Sequence, residues 1–300
     1  MSGQVKEIPV GVAPFDCRII GDKLVVSNIG GRRAKADDQT APSAGTETVV
    51  DERGIASTGS LTIISTTDNQ VDGHIATGLH PTVIADLAGQ AIVCNSNDDS
   101  LSIVNPQTRR LIRNEDVKPD AKLPFGSMPS CVYRIADKYL LVTLAGNNAV
   151  AVFSIGDDQA LKLLGHIPTA WYPASLAHNE TDLFIGSVKG IGGRANRRAA
   201  EKGRNSHDHE GAVQKVAIAD LADAEKMKTW SQQVQKNSLL PQIMRNQMLT
   251  KPDSKVAPKP IPDQLGEPSL FKHVIYVIKE NRTFDQVFGD YADARSDANF

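Results

Sequence analysis

Ile75-Ala-Thr-Gly-Leu-His-Pro81 is the segment on which the fold turns, because close relatives of it return along the chain. They are Ile8-Pro-Val-Gly-Val-Ala-Pro14, Pro124-Phe-Gly126-Ser-Met-Pro129 and Ile167-Pro-Thr-Ala-Trp-Tyr-Pro173. The closing prolines are 67, 48 and 44 residues apart. The last two intervals match the roughly 40–50 residues of one β-propeller blade.

Working outward from each segment, the same strands recur. Lys23–Asn28, Gln90–Asn95, Lys138–Thr143 and Asp182–Gly186 are short apolar runs. Each is followed by a polar turn and an alternating strand, at Gly59–Ile64, Asp99–Val104, Asn148–Phe153 and Gly211–Val216. Alternation bounded by Gly, Asn and Asp is a hairpin pattern, so residues 14–219 are expected to form four antiparallel blades, with turns near Asn97–Asp99 and Gly146–Asn148.

The repeat also has a phase. Val5–Pro14 matches Val71–Pro81, the closing strand of one blade leading into the next. Either earlier blades precede the chain, which is the preferred reading, or Met1–Val10 completes the last blade of a small ring. Two insertions interrupt the pattern: Gly30–Thr58, and Lys189–Glu210, which is polar and Gly-rich. Neither can bury much apolar surface, so both are expected as mobile loops. His207-Asp208-His209-Glu210 in the second lacks a third ligand at helix or hairpin spacing and reads as polar loop. His74, His80, His166 and His178 sit at blade junctions as packing or surface residues.

The 300 residues are 40% hydrophobic and 23% charged, enough for a packed core. A formal net charge of -2 argues against a general nucleic-acid surface. Arg32-Arg33 and the basic stretch Arg194–Arg204 read as solvated loops. No run is long enough to span a membrane, and residues 1–20 lack the pattern of a signal peptide. Cys17, Cys94 and Cys131 show no metal spacing and are expected as buried free thiols.

Beyond the repeats, Leu221, Ala224, Met227, Met244 and Met248 mark a helical segment interrupted near Pro241. Asp220 is its expected N-cap and Trp230 its anchor. Five of the sixteen prolines fall between Lys251 and Pro268, a semi-extended linker. Then comes Phe271-Lys-His-Val-Ile-Tyr-Val-Ile-Lys-Glu-Asn-Arg-Thr-Phe-Asp285. His273–Ile278 reads as a strand buried on both faces, as in a parallel sheet. Glu280-Asn281 places two oxygen donors just past its carboxyl end, where open α/β sheets bind ligands. Such a pair suits a hard or borderline divalent cation.

The hydrophobic strand followed by Glu280-Asn-Arg-Thr-Phe-Asp285 resembles the opening of the bacterial phospholipase C and acid phosphatase family, within the alkaline-phosphatase-like superfamily. The repeats, Gly30-Gly-Arg-Arg33 included, resemble bacterial YVTN-type propellers, which usually have seven blades. The resemblance implies a mainly β fold: a propeller with four recognisable blades, part of a seven-bladed one, over 1–219. A helical and Pro-rich linker over 220–270 follows, and then the first strand of an alkaline-phosphatase-like α/β domain over 271–300.

It also implies a metal-dependent phosphoesterase in which Glu280 and Asn281 help hold a divalent ion. Thr283 and Asp285 would stand behind them: Thr283 as the cap of a short helix Phe284–Phe288, Asp285 bonding the helix start or the ligands. The nucleophile and remaining ligands are expected beyond Phe300. A periplasmic or secreted parent enzyme with a phosphoester substrate follows from the same resemblance. A propeller that only binds a protein or ligand on its face is the alternative.

Overall fold

The computed structural model describes residues 5–43, 45–190, 210–248, 256–263, 266–278 and 287–293. The chain divides into two compact units, Met1–Met244 and Arg245–Phe300.

The first unit is a succession of antiparallel sheets. Strands β1 (Pro14–Ile20) and β2 (Lys23–Asn28) are followed by an inserted hairpin, β3 (Thr40–Ser43) and β4 (Thr46–Val49). β5 (Gly59–Ser65) and β6 (Val71–Thr77) then complete the first sheet, in the order β1-β2-β5-β6. The second sheet contains β7 (Pro81–Leu87), β8 (Gln90–Asn95), β9 (Ser100–Asn105) and β10 (Arg110–Asp116). The third contains β11 (Pro129–Ile135), β12 (Tyr139–Leu144), β13 (Ala149–Ile155) and β14 (Leu161–Pro168). The fourth has, among the described residues, β15 (Pro173–His178), β16 (Asp182–Ser187) and β17 (Ala212–Ala217). The fold is therefore mainly β and propeller-like, with three four-stranded blades and one that has three strands among the described residues.

Period-two alternation explains how the blades stack. On β8, Ala91 and Val93 join Val25, Leu61 and Ile63 of the first sheet in one core. Their neighbours Ile92 and Cys94 point the other way, into a core with Leu140, Val142 and Ala151 of the third sheet. A third core joins Leu141, Val150 and Val152 to Leu176, Leu183 and Ile185 of the fourth. Interior strands thus bury both faces, and each fully buried Leu or Ile contributes about 1.5–3 kcal/mol. The leading strands pack in series, β1 on β7, β7 on β11 and β11 on β15. Polar bonds pin these junctions: Asp16 Oδ2 accepts from Ile84 N at 2.8 Å, and Ser96 Oγ donates to Pro129 O at 2.6 Å.

The recurring proline segment makes the crossover between blades. The residue before each proline, Ala13, His80, Met128 or Tyr172, has φ between 51° and 63°. Left-handed backbone in a residue other than glycine costs on the order of 1–3 kcal/mol. The same bond holds it each time, because the residue just past the blade's second strand donates its N–H to that carbonyl. The pairs are Ile29–Ala13, Ser96–His80, Ala145–Met128 and Val188–Tyr172, at 2.9–3.1 Å.

After β17 a 3-10 turn, Ile218–Ala222, leads into α1 (Ala224–Asn237) and α2 (Leu240–Met248). The N-cap is Asp223 rather than Asp220: its carboxylate accepts from Lys226 N at 3.0 Å. Asp220 lies inside the 3-10 turn, where its backbone carbonyl accepts from Asp223 N and its carboxylate pairs with Lys226 at 2.7 Å. Trp230 packs on the core between the third and fourth sheets, as expected of an anchor. Pro241 falls in the first turn of α2, a position proline tolerates because no intrahelical N–H bond is lost there. Gly165 lets α1 approach β14, since a Cβ there would come within 2.6 Å of Ser231 Oγ.

In the second unit, Lys259 and Ser269 form an isolated parallel bridge, and Leu270 N donates to Lys259 O at 2.9 Å. The linker therefore folds back on itself here rather than running extended. Residues 273–278, expected as a buried strand, join no ladder, and Val274 to Ile278 are 71–89% exposed. A strand exists only where neighbours accept its backbone groups, and none does so among the described residues of this unit.

Candidate functional site: the crossover end of the propeller

Register places the functional features at one end of the blades. Pro14 pairs with Asn28, Pro81 with Asn95, Pro129 with Leu144 and Pro173 with Ser187. All four crossovers therefore emerge beside the connections between second and third strands. The first insertion belongs to one of those connections, and residues 188–190 and 210–211, which flank the second, belong to another.

The first insertion is ordered by its own chemistry, contrary to the expectation of a structureless loop. β3 and β4 pair from Thr40↔Val49 to Ser43↔Thr46, and Thr48, Val49 and Val50 are buried. Arg32 clamps Asp38 through both carboxylate oxygens at 2.5 and 2.6 Å, and Lys35 N donates to the same group at 2.6 Å. The Arg32 hydrogen bond, followed by the backbone N–H, holds the Asp38 carboxyl well below the usual range. Arg32 is thus spent within the loop, not presented to an anionic partner.

Between this hairpin and the first crossovers lies a cavity of about 470 Å³. Val12, Ile29 and Leu79 give it an aliphatic wall, while Thr46, Thr48, Thr58, His80 and Asn97 give it polar groups. Its size falls within the range of small-molecule sites. No acidic or basic side chain lines it apart from His80, whose burial lowers its pKa and favours the neutral ring. Thr48 Oγ1 is buried without a hydrogen-bond partner. The geometry suits a neutral polar molecule better than an ion.

Farther along the same end, Lys189 Nζ stands 5.6 Å from the Trp171 ring centroid and 5.3 Å from that of Tyr172. Trp171 is 48% and Phe125 65% exposed, each on the crossover that leads into a sheet. The crossovers that carry them are held by side chains from the preceding blade. Buried Asp99 accepts from Gly126 N and Met128 N at 2.8 and 3.1 Å, and Asn148 Oδ1 accepts from Tyr172 N at 2.9 Å.

Glu280, Asn281, Thr283 and Asp285 lie outside the described residues, as do His207 and His209. Of the expected helix Phe284–Phe288, Val287 and Phe288 are described and are helical. Among the described residues no group of three or more His, Cys, Asp or Glu could hold a metal ion. The remaining histidines have structural partners or none: His74 Nδ1 meets Thr62 Oγ1 and His178 Nδ1 meets Tyr133 OH, each at 3.0 Å. His166 is buried with Nε2 unpaired, and desolvation lowers its pKa to about 4.

Cys94 is buried as expected, and its thiol is pushed well up by desolvation; that of Cys131, half-buried, is raised to about 11 by the same cause. Cys17 is exposed, because the face of β1 that carries it meets no preceding sheet among the described residues. The residues that sequence reasoning overlooked are Thr48, His80 and Asn97. One signal for them was present: His80 stands immediately before a crossover proline, opposite the larger insertion.

No family model matches this chain, and no curated protein matches it in sequence. Similar solved structures include hydrazine synthase of Kuenenia stuttgartiensis, at 20% identity over 73% of this chain and 51% of that one, TM-score 0.47. A putative 6-phosphogluconolactonase of Bacteroides uniformis shares 14% identity over 56% and 48%, TM-score 0.40. Virginiamycin B lyase of Staphylococcus aureus shares 14% over 58% and 63%, TM-score 0.36. The chain spans about half the length of the first two. The likeness is distant, and the propeller assignment rests on the chain's own sheets. No helix among the described residues is long and apolar enough to cross a membrane.

Proposed function

We propose that this chain belongs to a metal-dependent phosphoesterase, with the propeller of residues 1–219 joined through 220–270 to a catalytic domain that begins at 271. One observation carries the reading: the apolar run ending at Ile278 is followed at once by Glu280-Asn-Arg-Thr-Phe-Asp285. The 71–89% exposure of Val274–Ile278 agrees with it, as this is how a strand looks apart from its sheet. The donor set fits a hard cation, and two oxygens need co-ligands from elsewhere to complete a shell. Glu280 and Asn281 would hold the ion, with Thr283 and Asp285 steadying that turn. When bound, such an ion polarises a phosphoryl oxygen and stabilises the charge of displacement.

The test is Glu280→Gln and Asn281→Ala in the enzyme that carries this chain. Each should raise the metal dissociation constant and lower hydrolysis of p-nitrophenyl phosphate or its diester about ten-fold or more, with the propeller's circular dichroism unchanged. Wild-type affinity and rate in both variants would remove the assignment. Residues 1–300 alone should show negligible turnover with Mg²⁺, Mn²⁺, Ca²⁺ or Zn²⁺. Robust turnover by that chain would move the chemistry to the propeller itself, with His207 and His209 as the first candidates.

A second reading, a propeller that binds without catalysing, is favoured by the cavity beside His80 and the exposed Trp171. The two are compatible if the crossover end binds what the catalytic domain acts upon.

A further inference from the structure

The hairpin inserted into the first blade turns a face of hydroxyl groups toward the cavity beside it. Thr46 and Thr48 alternate with Glu47 along β4 and so share one face, and Ser43 pairs directly with Thr46 across the ladder. All three line the cavity. Thr48 is 5% exposed, and its Oγ1 has no hydrogen-bond partner among the described residues. A buried hydroxyl left unpaired is costly, and a ligand that bonds to it recovers that cost.

The crossover side supplies the remaining polar groups. Ser96 N and Asn97 N donate to the His80 and Leu79 carbonyls at 3.1 and 3.2 Å. These bonds hold His80 in its left-handed backbone, at φ 57°, and tie the turn that carries Asn97 to the crossover. Neither side chain makes a hydrogen bond among the described residues. The hairpin in turn is held by the Arg32–Asp38 clamp, so both sides of the cavity are set before anything binds.

The lining also decides the class of ligand. No Lys, Arg, Asp or Glu belongs to it, and burial keeps the His80 ring neutral at pH 7. A phosphate, carboxylate or ammonium group would therefore enter without a counter-charge. Hydroxyl, amide and neutral imidazole groups each donate and accept, as alcohol groups do. Thr46 and Thr48 stand about 7 Å apart along their strand, so a ligand must offer polar groups at several points rather than one. Val12, Ile29 and Leu79 call for an apolar C–H face as well. We infer that the cavity binds an uncharged polyol of monosaccharide size, its hydroxyl groups toward Thr46, Thr48, His80 and Asn97 and its C–H face on the aliphatic wall. This rests on the reading of the crossover end as a binding surface and is independent of the phosphoesterase assignment.

Titration of the full chain with D-glucose, D-sorbitol and myo-inositol, followed by nuclear magnetic resonance, tests the inference. At least one of them should give saturable shifts of the His80 ring and of the Thr46 and Thr48 amides. D-gluconate and N-methyl-D-glucamine, the anionic and cationic counterparts of sorbitol, should bind about ten-fold more weakly or worse. Thr48→Val removes only the unpaired hydroxyl, so folding stability should hold or rise while binding weakens about ten-fold. His80→Phe should weaken binding at least as much with unchanged circular dichroism. The inference is overturned if no neutral probe gives saturable shifts, if the charged probes bind as well, or if binding is indifferent to both substitutions. Saturable shifts confined to the Trp171 ring would overturn it too, yet leave the crossover end standing as a binding surface.

Discussion

Strand β12 and the run His273–Ile278 are both mainly apolar and have opposite surroundings. Tyr139-Leu-Leu-Val-Thr-Leu144 is buried at every residue, held by β11 on one side and β13 on the other. His273-Val-Ile-Tyr-Val-Ile278 is exposed at every residue and has no sheet partner among those described. A mainly apolar run of six therefore reports a capacity for burial, and the neighbours decide whether it is realised. In the blades, the repeat supplies each neighbour from the adjacent forty-odd residues. For 273–278 no such neighbour is found among the described residues, and the parallel strands of the proposed domain would reach it only through crossover connections.

The largest effect that sharpens this contrast is expected at Leu140. It is fully buried in the core between the second and third sheets. Leu140→Ala should cost about 2–5 kcal/mol by the lost transfer energy and the cavity left behind. Denaturant unfolding followed by circular dichroism measures it. A loss below about 1 kcal/mol would mean that this core is loosely packed and that the contrast with the tail is overstated.

The next effect depends on pH and belongs to the edge of the same blade. His166, buried on β14 with Nε2 unpaired, has its pKa lowered from 6.5 to about 4 by desolvation. The folded state thus binds the proton less readily than the unfolded chain. The stability tied to the neutral ring is full above pH 6.5 and is lost as pH falls from there through about 4. The loss should be on the order of a few kcal/mol. Carboxylates titrate over part of the same window, so the readout is the difference between wild type and His166→Asn. The variant's profile should be flatter between pH 6.5 and 4, and parallel profiles would dismiss the burial argument.

Gly165 comes third. Its φ of 153° suits glycine, and a methyl group there would crowd Ser231 Oγ and also Met227 Cε at 3.1 Å. Gly165→Ala should cost about 1–3 kcal/mol and loosen α1 from β14, seen as faster amide exchange in residues 224–237.

Much of the fold was legible in the residues because blades are local. The prolines at 14, 81, 129 and 173 mark the crossovers, and the turn residues Asp99 and Asn148 adopt the left-handed backbone their types tolerate. What stayed hidden depended on distant partners. The hairpin β3–β4 pairs Thr-Ala-Pro-Ser, a weak strand former, with Thr-Glu-Thr-Val, and it buries Val49 and Val50. Asp220 and Asp223 are equal candidates as caps until the 3-10 turn is known. The cavity draws Val12, Thr48, His80 and Asn97 from four separated stretches, and no spacing in the chain announces their meeting. Cys17 looks like Cys94 by pattern, and differs only because no described sheet covers its face.

The smallest expected change in stability is the most informative about the tail. Ile275 is 89% exposed. Ile275→Ser removes an apolar side chain that touches little, so folding stability should move by no more than about 0.5 kcal/mol. Its effect should appear instead in solution behaviour. An uncovered β-branched run is a template for pairing between chains, and serine at its centre should reduce light scattering at high protein concentration and raise solubility. The size of the stability change discriminates between the two regions directly. If Ile275→Ser cost as much as Leu140→Ala, residues 273–278 would be buried in a sheet within this chain, and the contrast with β12 would collapse. If it costs nothing here but several kcal/mol in a longer protein that includes the proposed catalytic domain, the run would be a strand of that domain, stabilised only once its neighbours are present.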